Sequence, residues 1–474
     1  MHSVAESLVR LGDLARSATV ARLSTAFAEA GYELALVGGP VRDALLDRAV
    51  HDLDFTTDAR PDEILKVVSP GADAVWDIGR QFGTIGARFG DDTVEITTYR
   101  TDSYDGTTRK PDVQFGDTLE GDLLRRDFTV NALALRLPEI VLVDPSGGVE
   151  HLLTGTLTTP SSPEISFGDD PLRMLRAARF ASQLGFTVDD ETQDAMSELA
   201  DRIEIVSAER VRDELSKLLG TDDPRPGLEL LVSTGLAAQV IPEIPALRLE
   251  IDEHHHHKDV YQHSITVLEQ TIGYEKERHP GAAPDLTLRL AAILHDIGKP
   301  ATRRLEPGGL VSFYHHDVVG SKLAKKRLTA LRFDKSTIDS VARLIELHLR
   351  FFGYTEGSWT DSAVRRYVRD AGDELERLHI LTRADVTTRN RRKADRLGFA
   401  YDDLEARIRE LQEKEELDAV RPDLDGEQVM RILDLRPSRE VGEAMKFLLE
   451  LRLDEGPLGE DEATRRMLEW WQRR

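Results

Sequence analysis

Cysteine is missing from all 474 residues of this chain. Disulfides, thiolate zinc sites and cysteine nucleophiles are therefore excluded, and any bound metal must be held by histidine and carboxylate. No apolar run approaches the roughly 20 residues that cross a bilayer, and the first residues carry no apolar signal core, so a cytoplasmic protein with no membrane partner is expected. Positive charge is in deficit: 62 Lys and Arg face 86 Asp and Glu, a formal net charge of −24. Indiscriminate attraction to nucleic acid is thus disfavoured, and an RNA partner needs a local basic face. Lys322 to Arg327 and Arg389 to Lys393 are candidate stretches, although arginine clusters on helices also serve as solvated surface. Low-complexity sequence is confined to His254–His257, a metal-binding tract or a solvated helix entrance. With 31% charged and 40% hydrophobic residues, the chain has the composition of a soluble globular protein, long enough for about three or four units.

The stretch from Leu36 to Ile64 carries the most chemistry. Side chains alternate along a strand, so Asp52 and Asp54, flanking Leu53, point the same way about 6.6 Å apart, as a metal clamp requires. Upstream, an apolar run ends at Gly38 and Gly39. Pro40 suits the first helical position, leaving backbone N–H groups free to meet a phosphate, with Arg42 in the first turn. Carboxylates for Mg²⁺ beside a phosphate-binding turn and an arginine suit nucleotidyl transfer, which must activate a hydroxyl and neutralise leaving pyrophosphate. Taken alone, the same residues make a surface loop. The spacing from the glycines through Arg42 and Asp43 to Asp52 and Asp54 resembles the signature motif of class II CCA-adding tRNA nucleotidyltransferases and the related bacterial poly(A) polymerases. Further motifs extend the resemblance over nearly the whole chain.

The expected fold is a nucleotidyltransferase-type α/β head, a mixed sheet with helices, followed by an all-α neck, an HD-domain body and a helical tail. The boundaries are 1–150, 151–250, 251–400 and 401–474. One helix is expected from Ser3 to Ala30. Strands are expected at Glu33–Val37, Asp52–Thr56, Thr84–Phe89, Thr93–Tyr99 and Ile140–Asp144, and from Pro171 onward the periodicity is almost wholly helical. Glu95, on one strand face with Thr97 and Tyr99, is either a third metal ligand or an ordinary solvent-face glutamate. Arg100 to Phe115 has the length and polarity of a flexible active-site loop, which in the family affects addition of the terminal A.

The run from Leu124 to Ala132 resembles the family's second motif. The resemblance implies nucleotide contacts from Arg125 and Arg126, with Asp127 and Asn131 stabilising the head; without it, Asp127 reads as a helix cap. Asp144 to Gly148 resembles the hinge between head and neck. In Asp169-Asp170-Pro171, proline starts a helix that Asp170 caps, and Arg173, Arg176 and Arg179 follow at steps of three on one face. Cytosine and adenine both offer an exocyclic amine donor beside an unprotonated ring nitrogen, a pattern that uracil and guanine reverse. An aspartate accepting from the amine and an arginine donating to the nitrogen admit both, each pair discriminating by about 1–3 kcal/mol. The resemblance implies this role for Asp170 and Arg173, with Arg176 and Arg179 nearer phosphate or sugar. One departure stands out: the family usually has Glu where this chain has Asp169. The helix Ala208–Leu215 resembles the last neck motif, which braces the first helix.

Further on, His263, then His295-Asp296, then Asp385 match the ordered pattern of HD-domain phosphohydrolases, with His316, Asp317 and His348 at intermediate positions. Imidazole and carboxylate suit a divalent transition metal such as Mn, Ni, Co or Fe. Lys299 either holds a phosphate or caps a helix end. Asp423 to Leu453 resembles the family's helical tail, open to RNA contact or to plain packing. The implied function is template-independent addition of CCA to tRNA 3′ ends from CTP and ATP, with a second phosphohydrolase activity. The rivals are a poly(A) polymerase or partial-CCA enzyme, a phosphohydrolase with an RNA-binding head, and a noncatalytic RNA-binding protein.

Overall fold

The structure, a computed structural model, describes residues 4–50, 52–103, 112–116, 118–248, 259–307, 311–351, 353–354, 359–387, 390–415 and 421–474. His51, His254–His257, Gly309 and Arg389 lie outside the described residues, as does most of the tip between Arg100 and Phe115. The chain divides into two compact units, Met1–Pro242 and Glu243–Arg474. Among the described residues, no helix is long and apolar enough to cross a membrane.

The first unit begins with two helices, Val4–Ala15 and Ala18–Ala30, where one was expected. The break falls at Ser17, whose φ of −57° and ψ of 151° leave helical geometry, in keeping with the preference of serine for helix starts over helix interiors. The head strands are β1 (Leu34–Val37), β2 (Leu53–Thr57), β3 (Ala74–Trp76), β4 (Thr84–Phe89), β5 (Asp92–Thr98), β6 (Arg100–Ser103), β7 (Asp112–Phe115), β8 (Ala134–Leu137) and β9 (Val141–Val143). Seven form one sheet in the order β3-β4-β5-β2-β1-β8-β9, and β6 pairs with β7. Only the β2–β5 contact in that sheet is parallel.

Register assigns the two sheet faces. Leu36, Phe55 and Ile96 are aligned, fully buried, and pack with helical residues such as Phe27 and Ile64 into the core. Asp54 pairs with Glu95, and Thr56 with Thr97, on the opposite face. The Leu119–Leu124 helix covers part of that face, where Leu119 and Leu123 pack with Ala35, Val37 and Tyr99. The neck follows as short helices, among which Leu172–Leu184 packs against Ala208–Leu219 and Arg225–Ser233.

In the second unit, helices Val260–Arg278, Leu286–Leu294, His316–Ala330, Lys335–Leu347 and Leu375–Ala384 pack together. A fully buried ion pair, Arg289 Nε to Glu275 Oε2 at 2.9 Å, ties the first two. Gly298 is required by close approach: a Cβ there would lie 2.1 Å from the His316 carbonyl oxygen. The tail helices Gly426–Leu433, Arg439–Glu455 and Glu460–Gln472 close around Val429, Ala444, Leu448 and Met467.

Candidate functional site

Asp54 and Glu95 project side by side from paired positions of β2 and β5, and Asp52 stands exposed just before β2. Burial, then Glu95, and then Asp52 push the Asp54 carboxyl up to about 6 against the pull of Arg126. Negative charge gathered this way on a half-buried group calls for a cation, and hard carboxylate oxygens suit a small divalent one. The expected glycine turn is present: Gly38 takes φ 72°, and Pro40 opens the Gly39–Leu45 helix.

Arg42 departs from expectation. It is 6% exposed, its Nε and Nη2 bond the Asp43 carboxylate, and Nη1 donates to Asn131 Oδ1 at 2.6 Å. It braces the turn from beneath. Arg42 Nη2 lies 3.7 Å from where a Gly39 Cβ would sit, and a second guanidinium at the turn is that of Arg126, whose Nη1 lies 3.2 Å from where a Gly38 Cβ would sit and whose charge acts on Asp54. Asn131 in turn donates to Asp127 Oδ1 at 3.0 Å, and Asp127 Oδ2 accepts from Arg176 Nε at 2.7 Å. Burial works against the Asp127 charge, but Arg176, Asn131 and Arg173 outweigh it and hold the carboxyl well below the usual range.

Asp170 accepts from the Leu172 N–H at 3.1 Å, as a cap should, and its other oxygen accepts from Arg210 Nη2 at 2.8 Å. Arg173 is 9% exposed and donates to Ser166 Oγ at 2.8 Å and to the Arg125 carbonyl at 2.6 Å. The Leu172–Leu184 helix is thereby joined to the Arg125–Arg126 segment. Arg176 and Arg179, expected near phosphate or sugar, are instead engaged by protein: Arg176 by Asp127, and Arg179 Nε by Glu214 Oε2 at 2.7 Å. Together with Arg42 they surround the Phe180 ring, at 5.5, 4.1 and 5.3 Å. Glu214 and Arg210 both come from the Ala208–Leu219 helix, which braces the Leu172–Leu184 helix.

The second unit holds a denser cluster. Ligand atoms of His263, His295 and Asp385 lie within 4.8 Å of one another, and so do those of Asp296, His316 and His348. Nδ1 of His295, His316 and His348 faces the carbonyls of Ala292, Phe313 and Ile345 at 2.8, 2.8 and 2.6 Å, and Nδ1 of His263 faces the Thr387 hydroxyl at 3.0 Å. Outer hydrogen bonds of this kind fix a tautomer that presents Nε2 inward, the usual support of a metal ligand. Nε2 of His295, His316 and His348 is buried without an aligned hydrogen-bond partner, although Asp296 oxygens lie 3.2 Å and 3.3 Å from the first two. Burial lowers the affinity of His295 for a proton, yet Asp296 and Asp385 reverse this and push it up to about 10. His348, buried and facing His295, is pushed down to about 4. A cation shared by these donors satisfies both the orphaned nitrogens and the paired carboxylates. The cluster thus suits divalent metal. Lys299 Nζ sits 2.6 Å from Asp296 Oδ2.

Comparisons with known proteins agree with this geometry. The family described as "Poly A polymerase head domain" matches residues 34–158, "Probable RNA and SrmB- binding site of polymerase A" matches 185–247, and "HD domain" matches 260–390. The A-adding tRNA nucleotidyltransferase of Deinococcus radiodurans is 36% identical over 447 residues, which is 92% of this chain and 95% of that protein. This chain belongs to the tRNA nucleotidyltransferase family. A second full-length member of the family, the CC-adding tRNA nucleotidyltransferase of Thermus thermophilus, is 32% identical and covers 92% of this chain and 93% of its own. The CCA-adding enzyme of Bacillus subtilis is 41% identical over 209 residues, 44% of this chain and 51% of that enzyme. Among solved structures, the Bacillus stearothermophilus CCA-adding enzyme with CTP superposes with a TM-score of 0.66 at 24% identity, covering 95% of this chain and 96% of that one, and so shares the fold.

Proposed function

We propose that this chain is a template-independent tRNA nucleotidyltransferase of the cytoplasm that adds CCA to tRNA 3′ ends from CTP and ATP, releasing pyrophosphate. The observation that carries this reading is the gathering of Asp52, Asp54 and Glu95 at the start of β2 and the middle of β5, beside Arg126 and the Gly38 turn. Mg²⁺ held by Asp52 and Asp54, with Glu95 as third carboxylate, supplies Lewis-acid stabilisation of the transferred phosphate. Arg126 and the Gly39 amide meet the triphosphate; the Gly38 N–H is held by the Leu133 carbonyl at 3.0 Å. Asp170 accepts from the amine of C or A, and Arg173, steadied on Ser166 and the Arg125 carbonyl, donates to the ring nitrogen. The roles follow the divisions 1–150 for transfer, 151–250 for base selection, 251–400 for the HD domain and 401–474 for the tail. The test is extension of tRNA transcripts ending at the discriminator base, with CTP and ATP singly and together. Addition of CCA with both nucleotides is expected; no extension overturns the proposal.

A partial specificity is the second reading, because the relatives matched over their full length are named A-adding and CC-adding. Transcripts ending at CC, run alongside, separate these: extension by ATP of CC ends but not of discriminator ends marks A addition, and arrest after CC marks CC addition. For the second unit we propose phosphoester hydrolysis. His263, His295, Asp296 and Asp385 hold a divalent transition metal, Mn, Ni, Co or Fe, that supplies Lewis-acid activation there. His295→Ala is expected to abolish metal-dependent hydrolysis of a 2′,3′-cyclic nucleotide while leaving CCA addition intact.

A further inference from the structure

Asp122, on the Leu119–Leu124 helix, is 1% exposed, a burial that a carboxylate tolerates only when paired. Its Oδ1 accepts from Arg125 Nη2 at 2.6 Å, from Arg125 Nε at 3.1 Å and from the Arg100 backbone N–H at 3.4 Å. Its Oδ2 accepts from Arg126 Nη2 at 3.2 Å and lies 3.3 Å from the Thr56 hydroxyl, whose single proton it shares with the Thr97 carbonyl at 3.1 Å. Each donor belongs to a different working part. Thr56 lies two residues beyond Asp54 on β2. Arg100 begins β6, at the root of the segment 100–115. Arg126 borders Gly38 and acts on Asp54, and the Arg125 carbonyl receives Arg173. Neutralising two arginines requires neither a strand hydroxyl nor a loop amide, so the convergence points to alignment. Burial opposes the charge on Asp122, but Arg126 and Arg125 outweigh it and keep the group ionised. Arg126 also keeps its Nε buried without a partner, so the contact through Nη2 to Asp122 sets the orientation of its guanidinium.

We propose that Asp122 is a positioning residue that fixes Arg126 against the glycine turn to receive the phosphates of a nucleoside triphosphate, and that couples this grip to β2 and to the root of the 100–115 segment. The inference rests on the nucleotidyl-transfer reading. Equilibrium binding of CTP tests it apart from tRNA extension, so a protein that binds CTP but extends nothing contradicts the function and still reports on Asp122. Asp122→Asn is expected to weaken CTP binding and raise KM for CTP and ATP by about tenfold, with kcat falling less than about threefold. In an Arg126→Gln background the same substitution should change KM less than about twofold, because the two act as one unit. Wild-type CTP affinity in folded Asp122→Asn, or a full additional loss in the Arg126→Gln background, overturns the proposal. If Asp122→Asn does not fold, Thr56→Val, which removes one hydroxyl from the carboxylate, should raise KM by about threefold. An unchanged KM in that variant overturns the proposal equally.

Discussion

Asp54 has two carboxylate neighbours and one opposing guanidinium, and it is half-buried. Replacing it with alanine removes charge that the head holds at some cost, so the fold should survive while nucleotide addition falls by about a thousandfold or more. Extension assays together with thermal melting check both halves of this statement. His379 carries the clearest effect of pH on stability. It is 5% exposed, stacks on Tyr367 with ring centroids 6.0 Å apart, and has a buried Nε2 without a partner. Burial, outweighing Glu405, pushes it down to about 4. An unfolded imidazole titrates near 6.5, so the unfolded chain binds the extra proton between about pH 6.5 and about pH 4. The contribution of neutral His379 is therefore whole above about pH 6.5 and is lost as pH falls toward about 4, on the order of 3 kcal/mol. Denaturant midpoints for wild type and His379→Phe at about pH 7.5 and about pH 4.5 should show a shallower pH dependence in the variant.

Helix termini do most of the assembling at the level of elements. His295, His348 and Asp385 each follow the last turn of a helix, and His316 begins one, so the metal cluster depends on how helix ends meet. Gly298→Ala forces a methyl against the His316 carbonyl and should displace that helix start. Metal bound per chain, measured by elemental analysis, should fall several-fold while CCA addition persists. These ligands were legible in sequence because the ordered pattern His, His-Asp, Asp is itself chemical; their grouping into two triads was not, since it depends on the angles between helices. β4 was legible to the residue and β1, β2, β5 and β9 to within one or two, all carrying alternating or apolar runs between turn residues. β8 escaped because Ala134–Leu137 has the composition of a helix and becomes a strand only by pairing with β1 and β9. The protein partners of Arg42 were hidden for a similar reason. Its place in the first helical turn is local information, whereas the Asn131 amide that binds it comes from 89 residues away. Asp122 was legible only in part: Arg125 and Arg126 stand three and four residues after it, a local helical pairing, whereas Thr56 and Arg100 meet it only through tertiary structure.

For the molecule as a whole, a formal charge of −24 means that tRNA must be held against a repulsive background. Arg391, Arg392 and Lys393 are all exposed at the start of the Arg391–Glu415 helix and form a local exception. Charge reversal of Arg391 and Arg392 should weaken tRNA binding by about tenfold and flatten its dependence on salt, measured by filter binding across a salt series. The paired Asp54 and Glu95 have a consequence that reaches beyond chemistry on RNA. Because a counterion relieves their mutual repulsion, Mg²⁺ is expected to stabilise the first unit as well as to serve the reaction. Calorimetric scans with chelator and with saturating Mg²⁺ should differ by about 2–3 kcal/mol of stability at roughly a hundredfold excess over the dissociation constant, and the increment should vanish in Asp54→Asn. The stability of the head and its supply of divalent ion are then linked by mass action.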